Sequence, residues 1–557
     1  MIGRAPAIVI LGEGSLPAAR RVQAVLAGSA IHGLSGRVSG VDISFSEFGD
    51  TVRRLFGEDV PLVVFCAAGI VIRTLAPLLN DKRGEPPVVA VAEDGSAVVP
   101  LLGGLRGVNA LARRIGEALG SPAAITTTGE VRFAATLEQA PQGYRLRNPA
   151  DSKRFMSDLL AGEKVRLAGE APWLRDSKLP FADDGRLSIR VTEREIEPDR
   201  DELVFHPLSV LITVKAGPGD LPQRAIQALA VQGLARQAVA AIVARENDAA
   251  RPEVHAVAAA LDRPLRLVSG AENGFLKDDP VSIQVAAGPV DITTIGRARG
   301  RLSVVGLGPG SPGWLAPDAR RELSAADDIV GYETYVTMAG PFRAGQMIHA
   351  SDNREEMDRA RHALGLAAQG RAVAVVSSGD PGIFAMAAAV METLHGCDNP
   401  AWQGVEIMVI PGISAAQAAA ARAGAPLGHD FCVLSLSDNL KPWEVIEQRL
   451  HHAVAADLAI ALYNPISRAR PWQLAKALEI LRRVRRPETP VVLGRDIGRP
   501  AESLRLLRLE ELIPDHVDMR TVVIVGSSTT QRFPRADGGD WAYTPRWYGK
   551  DPKGRGG

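Results

Sequence analysis

Between residues 302 and 503 one local pattern recurs five times: a short apolar, β-branched run ends abruptly in a turn of glycine, proline and small polar residues. Runs of this length and composition read as strands. Turns built this way leave main-chain groups at the strand end open to a ligand. Across the whole chain such runs alternate with Ala/Leu/Arg-rich helical stretches, the pattern of α/β domains on parallel or mixed sheets.

The first turn, Gly306-Leu307-Gly308-Pro309-Gly310-Ser311, departs from a dinucleotide fingerprint: Ser311 replaces the third glycine and Pro309 stiffens the loop. The second is Ser378-Gly379-Asp380-Pro381-Gly382. The third carries Pro411, Gly412 and Ser414 ahead of an alanine-rich helix, where Ser414 equally suits a plain N-cap. Tyr463-Asn464-Pro465 forms the fourth, and Arg495, Asp496, Gly498 and Glu502 mark the fifth. Any one of these is also an ordinary strand-to-helix turn, so the weight lies in five occurring in one order.

That order (GxGPG, SSGDPGIF, PGISA, YNP, GRDIGR) resembles the tetrapyrrole methylase family over about residues 302–530. GYETYV at 331–336 and TPRWYG from Thr544 narrow the resemblance to precorrin-3B C(17)-methyltransferases and their cobalt-dependent counterparts. The resemblance implies a two-lobed C-terminal methylase fold, S-adenosyl-L-methionine as co-substrate, and methylation of a tetrapyrrole at C(17) with contraction to precorrin-4. It implies that Pro309 lines the cofactor cleft, that Ser378, Gly379 and Asp380 give main-chain and carboxylate contacts, and that Ile383, Ser414, Ala415 and Tyr463 complete the pocket. Glu333 falls where relatives that methylate uroporphyrinogen carry a proton-accepting aspartate. Glu333 and Asp380 are therefore the acid/base candidates, although an aspartate in a GDPG turn also caps its own loop. Arg468, Arg470, Arg495 and Arg499 lie in or beside these loops and suit substrate carboxylates, because arginine binds them bidentately; solvated surface arginine is the other reading. The family also implies a homodimer through the methylase half.

Upstream, AAGIVIR, PLLGGLRGVN and ITTTGE resemble the cobalt-precorrin-5A hydrolases from near residue 6, and VKAGPG and SGAENGF look like that family's C-terminal domain. The family's histidine in SGHxGGAN is Leu105 here, and its lysine-acid signature has become ARENDAARP. A leucine moves no proton. The N-terminal half is thus either an active hydrolase or a non-catalytic corrinoid-binding module.

With 557 residues the chain exceeds one hydrophobic core. Breaks near Glu130, at the acidic EIEPDRDE and at GRARGR give expected regions 1–130, 131–203, 204–297 and 300–535, with a polar tail 536–557 whose last eight residues fray. Lysine plus arginine equals aspartate plus glutamate at 64 each, so no overall field favours nucleic acid or an anionic membrane. The opening apolar run is too short for a signal peptide and nothing approaches a membrane span, which leaves the cytoplasm as the default. Cys66, Cys397 and Cys432 are odd in number and widely spaced, and the histidines lack ligand spacing, so no protein-bound metal is expected. Three competitors are weaker. An RNA methylase of the same fold needs stacking aromatics, yet only 5% of residues are aromatic. A corrinoid carrier does not need intact methyl-donor loops. A nicotinamide dehydrogenase needs a ribose-binding acid that is not in place.

Overall fold

The computed structural model describes residues 5–79, 82, 84–138, 140–269, 279–342, 345–352, 355–467 and 470–547. The first sheet runs Ile43–Phe45, Ala30–Leu34, Ala7–Ile10, Leu62–Phe65, Val88–Val91, Val98–Leu102, parallel except for the last strand. The runs AIVI, LVVF and VVAV are buried along their whole length because both sheet faces are covered. Ile8, Ile10, Val63 and Phe65 pack with the helices Leu16–Val25 and Val108–Leu119 on one face. Ala7, Val9, Leu62 and Val64 pack with Phe48–Gly57 and Ala68–Leu75 on the other.

A second sheet orders Tyr144–Leu146, Glu202–Pro207, Leu187–Val191 and Val165–Ala168. The expected cut at 203/204 falls inside the strand Glu202–Pro207, which pairs with Leu187–Val191 in parallel. The acidic stretch before it joins two adjacent strands of one sheet, so it is a connection within a domain and the boundary moves to about residue 208. Likewise the break at 130 lies within the helix Thr128–Phe133. The third sheet (Val281–Val285, Val210–Val214, Val239–Arg245, Leu265–Val268, Arg297–Ala298) has its own core around Ile212, Leu229 and Val257. Most of SGAENGF lies outside the described residues.

The C-terminal half has two lobes. In the first, five parallel strands run Met347–Ser351, Asp328–Tyr332, Ala372–Ser377, Arg301–Gly306, Glu406–Ile410. Leu302, Val304, Val373 and Val375 face Glu356–Ala367 and Met386–His395, while Val305, Ala374 and Val376 face the opposite core with Ala319 and Leu323. All five strands therefore end on one edge. The second lobe orders Phe431–Ser435, Ala459–Tyr463, Thr521–Val525, Pro490–Arg495, Ser503–Arg508 and is mixed. Its strands Ala459–Tyr463 and Pro490–Arg495 both run antiparallel to Thr521–Val525, so their C-terminal ends share an edge too.

The expected tail 536–557 is corrected in part. Asp540–Tyr543 is a strand, paired with Gln531–Pro534 and with Gly424–Ala425. Its Ala542 is buried against the helix Ala415–Ala423, an apolar contact no polar tail makes. The residues expected to fray, 550–557, lie outside the described residues.

Candidate functional site

The cleft is built from main chain. At the end of Arg301–Gly306, a Cβ on Gly306 would stand 2.7 Å from the Gly379 carbonyl oxygen and 2.8 Å from the Gly412 nitrogen. Three turns from neighbouring strands thus touch backbone to backbone, and only glycine leaves room. Gly379, at φ +72, exchanges two hydrogen bonds with Gly308: the Gly308 N–H donates at 3.1 Å and the Gly379 N–H at 2.7 Å.

Asp380 ties the same loops. Its carboxylate accepts from the Gly382 N–H at 2.8 Å and from the Gly412 N–H at 3.1 Å, one oxygen each. Both oxygens therefore serve the scaffold, as the loop-capping reading expects. Ser414 is an N-cap: its hydroxyl accepts from the Gln417 N–H at 3.3 Å and the Gln417 side chain accepts from the Ser414 N–H at 3.0 Å. Ala415 opens that helix, and the next N–H, of Ala416, donates to the Tyr463 hydroxyl at 2.8 Å. Tyr463 and this helix both pack in the second lobe's core, so the third loop, which leaves the first-lobe strand Glu406–Ile410, is anchored on the second lobe. Ile383 is half-buried beside these loops.

A second link between lobes is Arg499. Its Nε donates to the Pro309 carbonyl at 3.1 Å and its Nη2 to the Ser378 hydroxyl at 3.2 Å. Arg495 turns away, pairing with Asp518 at 2.9 Å and Asp496 at 2.9 Å. Asp496, buried at φ +51, also takes Arg520 at 2.6 Å. Arg470 keeps a buried Nη1 without a hydrogen-bond partner. Arg468 lies outside the described residues. Glu333 is exposed at the first turn of Glu333–Ala339, at the end of the strand beside that of Asp380.

Three features escaped the sequence. Phe384 holds φ +53 with 53% exposure, an unfavourable conformation for an aromatic residue. Its ring lies 5.6 Å from that of Tyr463, and the Lys441 ammonium stands 5.9 Å from its centroid. Burial, with Arg449 nearby, holds the Lys441 amine below its ordinary range. The clamp of Arg499 and the Asp496 cluster are the other two; a bulky aromatic directly after GDPGI was the one signal available.

Upstream, Leu105 occupies the turn Gly104–Arg106, where Arg106 pairs with Asp59. In ARENDAARP, Glu246 pairs with Arg297 at 2.8 Å, tying the third domain's central strands to its last one.

Two lobes presenting strand-end loops to a shared cleft, with main chain as the chief lining, define an α/β enzyme that holds its ligand at the carboxyl ends of its strands. Residues 301–513 match the family described as tetrapyrrole (corrin/porphyrin) methylases, and residues 50–130 match cobalamin synthesis G N-terminal. The chain is 51% identical over 250 residues to a precorrin-3B C(17)-methyltransferase of Sinorhizobium sp, 45% of this chain and 97% of that one. It is 52% identical over 253 residues to the cobalamin biosynthesis protein CobIJ of Mycobacterium bovis, 45% of this chain and 48% of that one. To a probable cobalt-factor III C(17)-methyltransferase of Salmonella typhimurium it is 42% identical over 229 residues, 41% of this chain and 93% of that one. The chain thus spans about half the length of the CobIJ relative. It belongs to the tetrapyrrole methylase family.

Proposed function

We propose that this chain catalyses S-adenosyl-L-methionine-dependent methylation of precorrin-3B at C(17), with ring contraction to precorrin-4, in cobalamin biosynthesis. The observation that carries the reading is the meeting of the five loops at one cleft, in a half-chain that covers 97% of the Sinorhizobium enzyme at 51% identity. Identity to the cobalt-factor III relative is lower, at 42%, which favours precorrin-3B as substrate.

Glycine at 306 and 412 lets three strand-end loops close on one another, and the main chain they present fits an adenosyl ligand. Bound S-adenosylmethionine supplies an electrophilic methyl group. Attack by ring carbon is an in-line displacement, so the protein's task is alignment and exclusion of water. Arg499 ties the Pro309 and Ser378 loops of the first lobe to the second, while Ser414 and Tyr463 fix the helix start on the second lobe. Phe384 offers a flat apolar face to a flat ring, and Lys441 and Arg470 offer cations to its carboxylate fringe. Glu333, exposed and bound to no other charged side chain among the described contacts, is the candidate base for the C(20) hydroxyl; Asp380 holds the loops. The reading includes a homodimer through the methylase half and a cytoplasmic location. Among the described residues no helix is long and apolar enough to cross a membrane.

The test is an anaerobic incubation of purified protein with precorrin-3B and methyl-labelled S-adenosylmethionine, followed by mass and the acetyl signal of the product. Label in a contracted ring is the expected result. No transfer, with the substrate shown active on a known enzyme, overturns the reading.

A further inference from the structure

The first sheet carries a cavity of about 610 Å³ that methylation does not use. Gly12, Ser15, Arg37, Phe65, Cys66 and Glu93 line it, at the carboxyl ends of Ala7–Ile10, Leu62–Phe65 and Val88–Val91. This is the point where strand order reverses. The chain moves outward from Ala7–Ile10 to Ile43–Phe45, then returns to place Leu62–Phe65 on the other side. The helices Leu16–Val25 and Ala68–Leu75 leave the two central strands toward opposite faces, so their loops part and leave a crevice.

Its lining has a definite polarity. Ser15 is 1% exposed, and its hydroxyl has no hydrogen-bond partner. A buried hydroxyl in a cavity wall with nothing to bond is costly unless a ligand supplies the partner. The helix Ala68–Leu75 starts at this crevice without a side-chain cap, which favours negative charge there, whereas the start of Leu16–Val25 is closed by a 3₁₀ turn in which the Leu16 N–H donates to the Glu13 carbonyl, and Pro17 has no N–H. Arg37 adds a guanidinium at the rim. Burial pushes the Cys66 thiol up to about 11, so it stays protonated at neutral pH and brings no competing charge. A Glu93 carboxylate oxygen lies 3.2 Å from where a Cβ on Gly14 would stand and 3.5 Å from one on Gly12, so it covers the loop that leads to Ser15 and presents an acceptor there.

We propose that this cavity binds a small anionic molecule: its carboxylate or phosphate is held by Ser15, Arg37 and the start of Ala68–Leu75, and its hydroxyl or amine faces Glu93. The volume falls in the usual range for small-molecule sites. The inference is independent of the methylase reading, since the cavity belongs to a different sheet.

The experiment is calorimetric titration of the full-length protein with inorganic phosphate and, separately, with L-malate as a hydroxycarboxylate. Saturable binding of at least one probe is expected, weakened about tenfold or more in Arg37→Gln because a charge-assisted contact is lost. Ser15→Ala should weaken the same probe, and an unchanged melting temperature in Arg37→Gln would show that the fold is intact. Tighter phosphate binding identifies a phosphorylated ligand, and tighter malate binding a carboxylate one; either supports the site. Absence of saturable binding by both probes, or equal affinity in wild type and Arg37→Gln, overturns it.

Discussion

Replacing Asp380 by asparagine separates two roles that an acid in a cleft loop invites. In the structure both carboxylate oxygens accept main-chain N–H groups, one from its own turn and one from the Gly412 loop. Asparagine keeps one acceptor and turns an NH2 toward the other N–H, so one charge-assisted bond is lost and two donors face each other. A hydrogen bond to a charged group contributes about 1.5–3 kcal/mol, and at about 1.4 kcal/mol per decade that is about 10- to 150-fold in an equilibrium constant. Because the two tied loops form the floor of the cleft, the loss should fall on cofactor affinity. Titration of S-adenosylhomocysteine into wild type and Asp380→Asn reads it directly. A proton-transferring Asp380 would behave differently, lowering kcat by about 10²–10⁴ while leaving affinity alone. Affinity unchanged within about twofold, with kcat reduced to that extent, would refute the scaffold assignment.

Tyr463→Phe removes the acceptor for the Ala416 N–H and should cost about 0.5–1.5 kcal/mol, read as a shift in the urea midpoint of the methylase half. Gly412→Ala forces a Cβ against the Gly379 carbonyl oxygen and to 3.0 Å from that of Gly306, both main chain; overpacking of about 1–3 kcal/mol should lower the melting temperature and weaken S-adenosylhomocysteine binding together. His32 is buried, and burial, helped by Arg54, lowers its pKa from 6.5 to about 4. Because its folded-state value lies below the unfolded one, the stability it contributes is full above pH 6.5 and lost as pH falls toward 4, on the order of 3 kcal/mol. Urea midpoints at pH 7, 5.5 and 4.5 should show this slope, and His32→Gln should flatten it; equal slopes in the two proteins would dismiss the assignment.

The turns of the methylase half were legible because each is local: a glycine-rich segment at the end of an apolar run announces itself within ten residues. Ser414 and Asp380 were legible for the same reason, their capping partners lying two or three residues away. What stayed hidden depends on distant pairs. Arg499 reaches Pro309 across 190 positions, and no spacing rule connects them. The acidic EIEPDRDE looked like a linker since charge runs are solvated, yet it joins strands that lie side by side. Asp540–Tyr543 was read as tail because its surroundings are polar and glycine-rich, and its partners Gly424–Ala425 are more than a hundred residues earlier. The arginines divide in the same way: sequence places them near the cleft, but Asp518 and Asp496 decide where Arg495 points.

That late strand has a practical consequence for anyone wishing to isolate the methylase half. Thr544 donates to the Pro426 carbonyl at 2.6 Å and lies 2.9 Å from the Thr530 hydroxyl, fastening the strand's end beside the helix that opens at Ser414. A fragment cut at residue 535 would keep every motif of the cleft and lose the brace behind its third loop, whereas one running past Thr544 keeps both. An inactive short fragment would therefore report on a missing support rather than on the chemistry of the loops.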